Sequence, residues 1–196
     1  MSFRQVCVER ETKETRVRVA LDLDGTGRAS VRSGIGFLDH LLTALALHAG
    51  WDLELECTGD LEVDDHHTAE DCALCLGQAL SGALGSRSGL QRFGWALVPM
   101  DEALARAAVD LSGRPWPAVD LGLARERIGA LASENVDHVI RSLAVAMGAA
   151  VHVDVLRGAN DHHRAEAAFK ALALAVGQAS SPSGLQRVAS TKGVLT

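Results

Sequence analysis

Hydrophobic and polar positions along the chain fall into short segments of two kinds, and these segments follow one another in a regular order. Segments in which polar and apolar residues alternate predict strands with one buried face, whereas apolar residues at every third or fourth position predict helices. The alternating segments are residues 15–23, 53–57 and 151–156. The segments with helical character are residues 37–48, 68–84, 136–147 and 164–176. Each half of the chain is therefore predicted to run strand, strand, strand, helix, strand, helix.

An internal repeat relates the two halves. Residues 65–70 (Asp-His-His-Thr-Ala-Glu) recur as residues 161–166 (Asp-His-His-Arg-Ala-Glu), an offset of 96 positions with five of six residues identical. Further matched pairs are Glu14 with Glu102, Asp22 with Asp110, Gly25 with Gly113, His40 with His138 and Gly50 with Gly148. The second half differs by a longer Pro- and Gly-containing segment at residues 115–129.

These patterns predict an α+β fold built by internal duplication, with two sheets and the helices packed between them. The repeats are predicted to span residues 1–92 and 93–196 and to form one compact domain. Residues 177–184 are rich in Gly and Ser and predict a flexible loop, so that a mobile tail is expected from about residue 178 to residue 196.

Residues 22–26 (Asp-Leu-Asp-Gly-Thr) resemble the nucleophile motif of haloacid-dehalogenase-like phosphatases. That motif follows a buried parallel strand, whereas the strand before residue 22 alternates polar and apolar residues. The segment is therefore predicted to be a hairpin turn, in which Asp and Gly supply the backbone conformations that tight turns require.

Composition narrows the classes of partner and the compartment. The chain has 196 residues, a net charge of -6, 47 % hydrophobic residues and only 4 % aromatic residues. An acidic chain with few stacking platforms is not expected to bind nucleic acid. Its apolar stretches are shorter than the roughly 20 residues of a membrane helix, and it begins without a signal-peptide pattern, so no membrane association and a cytoplasmic location are expected. Cys72 and Cys75 fall inside a predicted helix and are expected to be buried.

The repeated His-His-x-x-Glu motifs are the strongest indication of chemistry. Consecutive helical residues project about 100° apart, whereas residues three or four apart share a face. Either His66 or His67 can therefore join Glu70 on one ion, but both on the same ion would be awkward. Imidazole and carboxylate ligands suit manganese, iron or zinc. The candidate ligands are His40, His66, His67, Glu70, His138, His162, His163 and Glu166.

Other residues are assigned more modest roles. His48 and His152 have no counterpart in the repeat and are expected to be ordinary packing or surface residues. Arg92, Arg114 and the tail residues Ser190 to Gly193 are candidate anion-binding groups, since Arg forks and Ser, Thr and Lys donors suit phosphate oxygens.

Nearly the whole chain resembles the imidazoleglycerol-phosphate dehydratase family of histidine biosynthesis. The matching motifs are Gly36-Phe-Leu-Asp-His40, Asp64-Asp-His-His-Thr68, Pro99-Met-Asp-Glu102, Val109-Asp-Leu-Ser-Gly-Arg-Pro115, Asn160-Asp-His-His163, Phe169-Lys-Ala171 and Ser190-Thr-Lys-Gly193. The chain departs from the family pattern at Ala44, where many members have Gln, at Ala189, where Pro is usual, and over residues 116–125, which are compact and apolar.

The resemblance implies a manganese-dependent lyase that dehydrates imidazole glycerol phosphate to imidazole acetol phosphate. It implies that the eight candidate ligands bind two Mn²⁺ ions per active site, with three His and one carboxylate on each ion. It also implies that Glu14 is the acid/base group and that phosphate is held by Arg92, Arg114, Ser190 and Lys192. Family members assemble as 24-subunit shells with active sites between subunits, so this chain is expected to self-associate.

The chemistry of the substrate agrees with this set of residues. The carbon that loses its proton carries no carbonyl group, so a carboxylate base alone is inadequate. A metal on one imidazole nitrogen favours loss of the other N–H, and the resulting imidazolate can expel the hydroxyl group while Glu14 moves the carbon proton. The alternative is a non-catalytic protein whose metal sites only clamp subunits together, since assembly and catalysis use the same ligands. Glu14 and the phosphate-binding residues would be superfluous to such a clamp.

Overall fold

The protein folds as four layers, in which two sheets enclose two layers of helices. The structure is a computed structural model, and it describes residues 4–184, 190 and 191. Within these residues the α+β fold and its duplicated order of strands and helices are as predicted from the sequence. No helix in this part of the chain combines the length and the apolar character that crossing a membrane requires.

The first half forms one four-stranded sheet and two helices. Its elements are β1 (Gln5–Glu11), β2 (Thr15–Asp22), β3 (Ala29–Arg32), α1 (Gly36–Ala49), β4 (Asp52–Gly59) and α2 (His66–Leu84). The strand order is β1-β2-β4-β3, with β3 parallel to β4 and the other neighbours antiparallel. Along β2 the residues alternate between buried and more exposed positions, as the period-two pattern predicted.

The second half repeats this plan. Its elements are β5 (Phe93–Met100), β6 (Ala103–Asp110), β7 (Trp116–Asp120), β8 (Arg127–Ile128), β9 (Leu131–Ala132), α3 (Ser133–Met147), β10 (Ala150–Arg157) and α4 (Asp161–Ser180). The strand order β5-β6-β10-β7 matches that of the first sheet, and β7 is again parallel to its neighbour. The short β8–β9 pair lies in the longer second-half segment and has no counterpart in the first half.

Two local predictions are wrong. Residues 22–26 do not form a hairpin turn, because the strands that they connect, β2 and β3, are not neighbours: β4 lies between them. The loop predicted from residue 177 starts later, because α4 continues to Ser180. Ala-rich sequence and the packing of Gly177 against the backbone of Ala49 on α1 extend that helix through a Gly that the sequence suggested as its end. Beyond α4, only residues 181–184, 190 and 191 of the predicted tail are among the described residues.

The helices of the two halves pack against each other in the centre of the molecule, where α1 contacts α4 and α2 contacts α3. The core is mostly Leu, Val and Ala, with Trp51 and Phe169 as its largest fully buried side chains. Gly77 allows α2 to approach α3 closely, since a Cβ at this position would lie 2.6 Å from the Ala146 Cβ and 2.8 Å from the Leu143 carbonyl oxygen. Cys72 and Cys75 are buried here, as predicted.

All four helices begin at the same end of the layers. Helices α2 and α4 follow the carboxyl ends of β4 and β10, and α1 follows β3, which runs parallel to β4. Helix α3 follows the short β8–β9 pair, which comes after the carboxyl end of β7, and β7 runs parallel to β10. The first turns of the helices therefore lie close together, and these turns carry the predicted ligands.

Candidate metal centres and active-site residues

One group of potential ligands forms where α1 meets α4. His40 on α1 approaches His162 and Glu166 on α4, and their ligand atoms all lie within 4.8 Å of one another. The Glu166 Oε2 atom is 3.2 Å from the Nε2 atom of each histidine. The Phe37 ring packs against the His162 ring, with 5.0 Å between the ring centroids.

A second group forms where α2 meets α3. His138 on α3 approaches His66 and Glu70 on α2, again with all ligand atoms within 4.8 Å of one another. The His138 Nε2 atom is 2.9 Å from Glu70 Oε1, and the rings of His66 and His138 stack with centroids 4.9 Å apart. Among the described residues, His48 and His152 belong to neither group.

Each group combines residues from both halves of the chain. The lone His comes from one half, and the His-Glu pair comes from the other, because each helix packs against a helix of the opposite half. The structure also shows which of the two adjacent histidines in each motif joins the glutamate. His66 joins Glu70, and His162 joins Glu166, each with the four-residue spacing that places two side chains on one helix face.

Side-chain hydrogen bonds to backbone N–H groups fix the first turns of the two ligand-bearing helices. The Asp64 Oδ1 atom accepts a hydrogen bond of 2.8 Å from the His66 backbone N–H. In the second half, Asn160 Oδ1 accepts one of 2.9 Å from the His162 backbone N–H. These bonds satisfy N–H groups that have no partner inside the helix, so they stabilise the turn that carries each histidine.

The aspartates that precede the His pairs, Asp65 and Asp161, are both buried and hold the longer second-half segment against the site. Asp161 Oδ2 accepts hydrogen bonds from the backbone N–H groups of Ala124 and Arg125, at 2.9 and 2.7 Å. Asp65 Oδ2 accepts bonds from the Ala132 N–H at 2.7 Å and from the Asn135 side chain at 2.9 Å. One continuous stretch of the second half is thus tied to both ligand-bearing turns.

Asn135 also orients the ring of His66. Its Oδ1 atom lies 3.0 Å from His66 Nδ1, while its Nδ2 group donates to Asp65. Because the amide oxygen can only accept, this network places the proton of neutral His66 on Nδ1 and leaves Nε2 as the ligand atom.

His67 and His163 lie outside both groups. The His67 Nδ1 atom is 3.0 Å from Asp60 Oδ2, and the His163 Nδ1 atom is 2.8 Å from Glu102 Oε2. These hydrogen bonds raise the pKa of both imidazoles above the usual value. Each carboxylate fixes a ring so that its Nε2 atom points away from the supporting carboxylate, which is the arrangement typical of histidine ligands.

Glu102 is bound firmly. Its Oε1 atom accepts hydrogen bonds from the backbone N–H groups of Asn160, at 2.8 Å, and Ala159, at 3.0 Å. The bond from Asn160, the bond from His163 and the bond from Ala159 together lower the pKa of Glu102 to about 2. The carboxylate therefore remains ionised under the side chain of His163 at any physiological pH.

Glu14, the predicted acid/base group, lies beside His67. Its Oε1 atom is 3.9 Å from His67 Nε2, and its side chain is 53 % exposed. The backbone holds it in place, since the Glu14 carbonyl oxygen accepts a hydrogen bond from the Asp60 N–H and the Glu14 N–H donates to Thr12 Oγ1. The carboxylate can therefore reach a molecule that is bound next to His67.

Glu166 and Glu70 occupy matching positions in different surroundings. Burial raises the pKa of Glu166, but the hydrogen bonds from Lys170 and His40 outweigh burial and lower it to about 2. Lys170 Nζ is 2.7 Å from Glu166 Oε1, and only 10 % of the Glu166 side chain is exposed. Glu70, by contrast, is 37 % exposed.

The predicted phosphate-binding residues lie at the other end of the strands. Arg92 forms a two-bonded ion pair with Asp110 at the carboxyl end of β6, whereas Glu102, which holds His163, precedes the amino end of the same strand. Eight residues of strand place these ends on the order of 25 Å apart. Arg114 is in the turn before β7, at the Arg92 end. Ser190 is within the described residues, and Lys192 is outside them.

Both groups suit a divalent metal ion. Two imidazole nitrogens and one carboxylate oxygen converge in each, which is a donor set for manganese, iron or zinc. Asn135 and Lys170 bind atoms that face away from the point of convergence, His66 Nδ1 and Glu166 Oε1. Ser142 Oγ instead lies 3.3 Å from the converging Nε2 atom of His138. Three ligands leave room for a further one, so each group is a partial site within one chain.

Several residues of this site were not identified from the sequence. Asp60, Glu102, Asn135 and Lys170 each hold a candidate ligand or Glu14, yet none belongs to the repeated motif. Asp65 and Asp161 are themselves a matched pair in the repeat, and that matching was the available signal. Glu102 is likewise matched with Glu14 in the repeat, whereas Asp60, Asn135 and Lys170 come from a turn and from helix faces that become neighbours only in the folded chain.

Comparisons with known proteins agree over nearly the whole length. A family model described as imidazoleglycerol-phosphate dehydratase matches residues 33–176. The chain is 54 % identical to the imidazoleglycerol-phosphate dehydratase of Candida glabrata, over 96 % of this chain and 98 % of that protein. It is 48 % identical to that of Saccharomyces cerevisiae, over 100 % of both. The crystal structure of the Staphylococcus aureus protein has a TM-score of 0.82 at 33 % identity and covers 91 % of this chain and 99 % of that chain.

Proposed function

The chain belongs to the imidazoleglycerol-phosphate dehydratase family, hydro-lyases of histidine biosynthesis, and we propose that it dehydrates D-erythro-imidazole glycerol phosphate to imidazole acetol phosphate. Each active site would hold two Mn²⁺ ions that bind the phosphorylated imidazole substrate. The reaction would pass through an imidazolate form of that substrate. We place the enzyme in the cytoplasm. The observation that carries the proposal is the position of Glu14 beside His67, at the end of the molecule where both ligand groups converge.

The ligand set fits two ions. His40, His162 and Glu166 would hold one, and His66, His138 and Glu70 the other. A bound Mn²⁺ ion would supply Lewis acidity, which would lower the pKa of an imidazole N–H of the substrate. His67 and His163, whose rings are already fixed by carboxylates, would complete the sites of neighbouring copies, giving each ion three His and one carboxylate.

The repeat explains why Glu14 is available for proton transfer. Its counterpart is Glu102, which is fully engaged by His163 and two backbone N–H groups. In the first half Asp60 takes over this task for His67, and the Glu14 carboxylate is left half-exposed beside the ring. A carboxylate in that position can remove the carbon proton as the hydroxyl group of the substrate departs.

A complete active site needs more than one copy of the chain. Arg92 and Arg114, proposed with Ser190 and Lys192 to bind the phosphate group, lie at the opposite end of the second sheet from the ligand groups of the same chain. A substrate that contacts both sets must therefore lie between subunits. This supports the proposed self-association, which the family resemblance implies to be a 24-subunit shell.

The outward face of the second sheet supports the same conclusion. Phe93, Trp95, Leu97 and Trp116 are each at least 50 % exposed there. Large exposed apolar patches are unusual on a monomer and typical of protein contacts. Arg92 lies next to this surface, with its guanidinium 4.7 Å from the centre of the Phe93 ring, so a copy docked on it would approach the proposed phosphate-binding residues.

The test is turnover of imidazole glycerol phosphate, with metal analysis and light scattering on the same sample. We expect activity that requires Mn²⁺ and is lost on chelation. Glu14→Gln is expected to lower kcat by at least about 100-fold while metal content stays at the wild-type value, because general acid–base catalysis contributes on that scale. An inactive Mn²⁺-loaded protein would favour a metal-linked structural role, and a Glu14→Gln variant with normal turnover would remove Glu14 from the mechanism.

A further inference from the structure

The two ligand groups are related by the repeat, but their carboxylates are not equivalent. Glu166 is nearly buried, and its Oε1 atom is bound by the Lys170 ammonium at 2.7 Å. Lys170 is itself mostly buried, at 19 % exposure, and its Nζ also lies 3.4 Å from the Met100 sulfur. Only the Oε2 atom of Glu166 faces His40 and His162.

The matching carboxylate of the other group has no such partner. Lys170 follows Glu166 by four residues on α4, and the residue that follows Glu70 by four on α2 is the half-buried Leu74. Within the described residues the Glu70 carboxylate pairs with His138 alone, at 2.9 Å. The Leu74 side chain can neutralise no charge, so among the described residues no ammonium offsets the charge of the Glu70 carboxylate or occupies its second oxygen atom.

An ammonium that pairs with a ligand carboxylate affects cation binding in two ways. It repels the incoming cation, and it cancels part of the carboxylate charge that attracts the ion. It also occupies one oxygen, so that the carboxylate can bind an ion through the other oxygen only. These effects are largest where the pair is buried, because water screens a buried charge poorly.

We propose that Lys170 makes the two metal centres unequal, so that the centre of His66, Glu70 and His138 binds its ion first and the centre of His40, His162 and Glu166 binds its ion more weakly and exchanges it. Lys170 acts through Glu166 and is a positioning residue. This inference rests on the proposed metal dependence, but not on the proposed reaction.

The test is a titration of the chelator-treated, full-length protein with MnCl₂, in which electron paramagnetic resonance counts the unbound Mn²⁺. The wild type is expected to bind two ions per chain in two steps whose dissociation constants differ by at least about tenfold. Lys170→Leu, which copies the residue of the other centre, is expected to tighten the weaker step and to bring the two constants together. Light scattering at each point separates metal binding from changes in assembly.

Two further variants distinguish the charge of Lys170 from its packing. Lys170→Arg keeps the charge and is expected to preserve the two-step titration. Leu74→Lys places an ammonium four residues after Glu70, at a half-buried position of α2. It is expected to weaken the tighter step by about tenfold while leaving the other unchanged. This variant does not disturb the buried Glu166, so it tests the proposal even if Lys170→Leu fails to fold.

The outcomes separate this inference from the proposed function. Two ions that bind the wild type with equal affinity overturn the inference and leave the proposed metal dependence intact. Unchanged affinities in both Lys170→Leu and Leu74→Lys overturn it as well. No Mn²⁺ binding by the wild-type protein would contradict the proposed metal dependence itself.

Discussion

The two halves of the molecule have the same strand order but opposite outward surfaces. On the first sheet the outward residues of β1, β2 and β4 are mainly charged and form ion pairs across neighbouring strands. Arg18 pairs with Glu9 at 3.4 Å and lies 3.9 Å from Glu54, and Arg32 pairs with Glu56 at 3.5 Å. Such pairs at solvent-exposed positions contribute little stability but keep a sheet face hydrated.

On the second sheet the corresponding positions are largely apolar. Trp95 stands where the first sheet has Cys7, and Leu97 stands where it has Glu9. Trp116, on the edge strand β7, is 65 % exposed. At the first turns of α2 and α4, by contrast, the two halves are alike, because both retain the His-His-x-x-Glu motif. Residues are alike where both halves must build a ligand group, and they differ where each half meets different surroundings.

The contact between the first strand of each sheet and the helix below it also differs between the two halves. In the first half Val6 on β1 packs against Gly82 on α2, with 3.4 Å between the Val6 methyl groups and the place of a Cβ on Gly82. In the second half the small residue is on the strand: Gly94 replaces Val6, and the backbone of Ala175 and Ala179 on α4 comes up against it. The strand and helix are closer in the second half.

The largest effect is therefore expected from Gly94→Ala. A Cβ on Gly94 would overlap the carbonyl oxygen of Ala175, and backbone atoms cannot move aside as a side chain can. We expect a loss of about 3 kcal/mol in the free energy of unfolding, at the upper end of the range for overpacked cores. Urea unfolding followed by circular dichroism measures it.

Gly82→Ala is the matched control. Its Cβ would make an ordinary contact with Val6, and replacing a helical Gly by Ala contributes roughly 0.5–1 kcal/mol of stability. We expect a change within about 1 kcal/mol of the wild type. Equal destabilisation by the two substitutions would show that the two strand–helix contacts are equally tight and that the second half is not more closely packed.

The next effect concerns the outward faces. Trp95→Glu is expected to leave the fold of the chain nearly unchanged, because the side chain is 67 % exposed, but to weaken self-association by about 2 kcal/mol per contact. Light scattering over a dilution series measures the change. Cys7→Glu places the same charge at the corresponding position of the first sheet and is expected to leave assembly intact. If Cys7→Glu caused dissociation and Trp95→Glu did not, the contact between subunits would lie on the first sheet and not on the second.

A smaller effect is expected from the carboxylates that hold His67 and His163. Glu102→Gln keeps an oxygen for the two backbone N–H groups and so turns its NH₂ group toward His163 Nδ1. That favours the tautomer with the proton on Nε2 and blocks ligation, so we expect a loss of about 20-fold in Mn²⁺ affinity. Mn²⁺ titration followed by paramagnetic resonance measures it.

Asp60→Asn should have a milder result. The Asn side chain can still direct its oxygen to His67 Nδ1, so only the charge is lost, and a reduction of about tenfold is expected. If Asp60→Asn weakened Mn²⁺ binding more than Glu102→Gln does, the backbone bonds of Glu102 would not be what fixes its orientation.

Much of the fold follows from local patterns. Periodicity predicts the central strands and all four long helices to within a few residues, because each buries one face. The repeat predicts that the second half copies the first. Periodicity cannot show that β2 and β3 are separated by β4, because the turn at residues 22–26 is compatible with either arrangement.

Six of the eight ligands predicted from the sequence lie in the two groups, but the sequence did not show how they are divided between the groups. The repeat pairs His40 with His138, yet in the fold each joins the motif of the opposite half, because α1 packs on α4 and α3 on α2. The contact between helices far apart in sequence is set by the shape of the whole core. Asp60 and Glu102 illustrate the same limit, since they perform one task from positions that the repeat does not relate.

The smallest effect comes from Asp52, which closes the turn after β2. Its Oδ1 atom accepts hydrogen bonds from the backbone N–H groups of Thr26, at 2.7 Å, and Arg28, at 3.0 Å, and Oδ2 pairs with the Arg28 guanidinium at 2.6 Å. At the corresponding position of the second sheet stands Ala150, opposite Asp110 as Asp52 is opposite Asp22. Only the first half therefore depends on this carboxylate.

The bond from the Arg28 side chain, followed by the two backbone bonds, holds the pKa of Asp52 well below its usual range. A carboxylate whose pKa is lower in the folded than in the unfolded protein contributes stability above its unfolded pKa of about 4, and this contribution is lost as the pH falls through the folded-state pKa. Asp52→Asn should thus lower Tm slightly at pH 7, because exposed pairs are weak. The difference from the wild type should shrink as the pH is lowered from about 5 toward 2. A Tm difference that stays constant over that range would assign the effect to hydrogen-bond geometry and exclude a contribution from the charge.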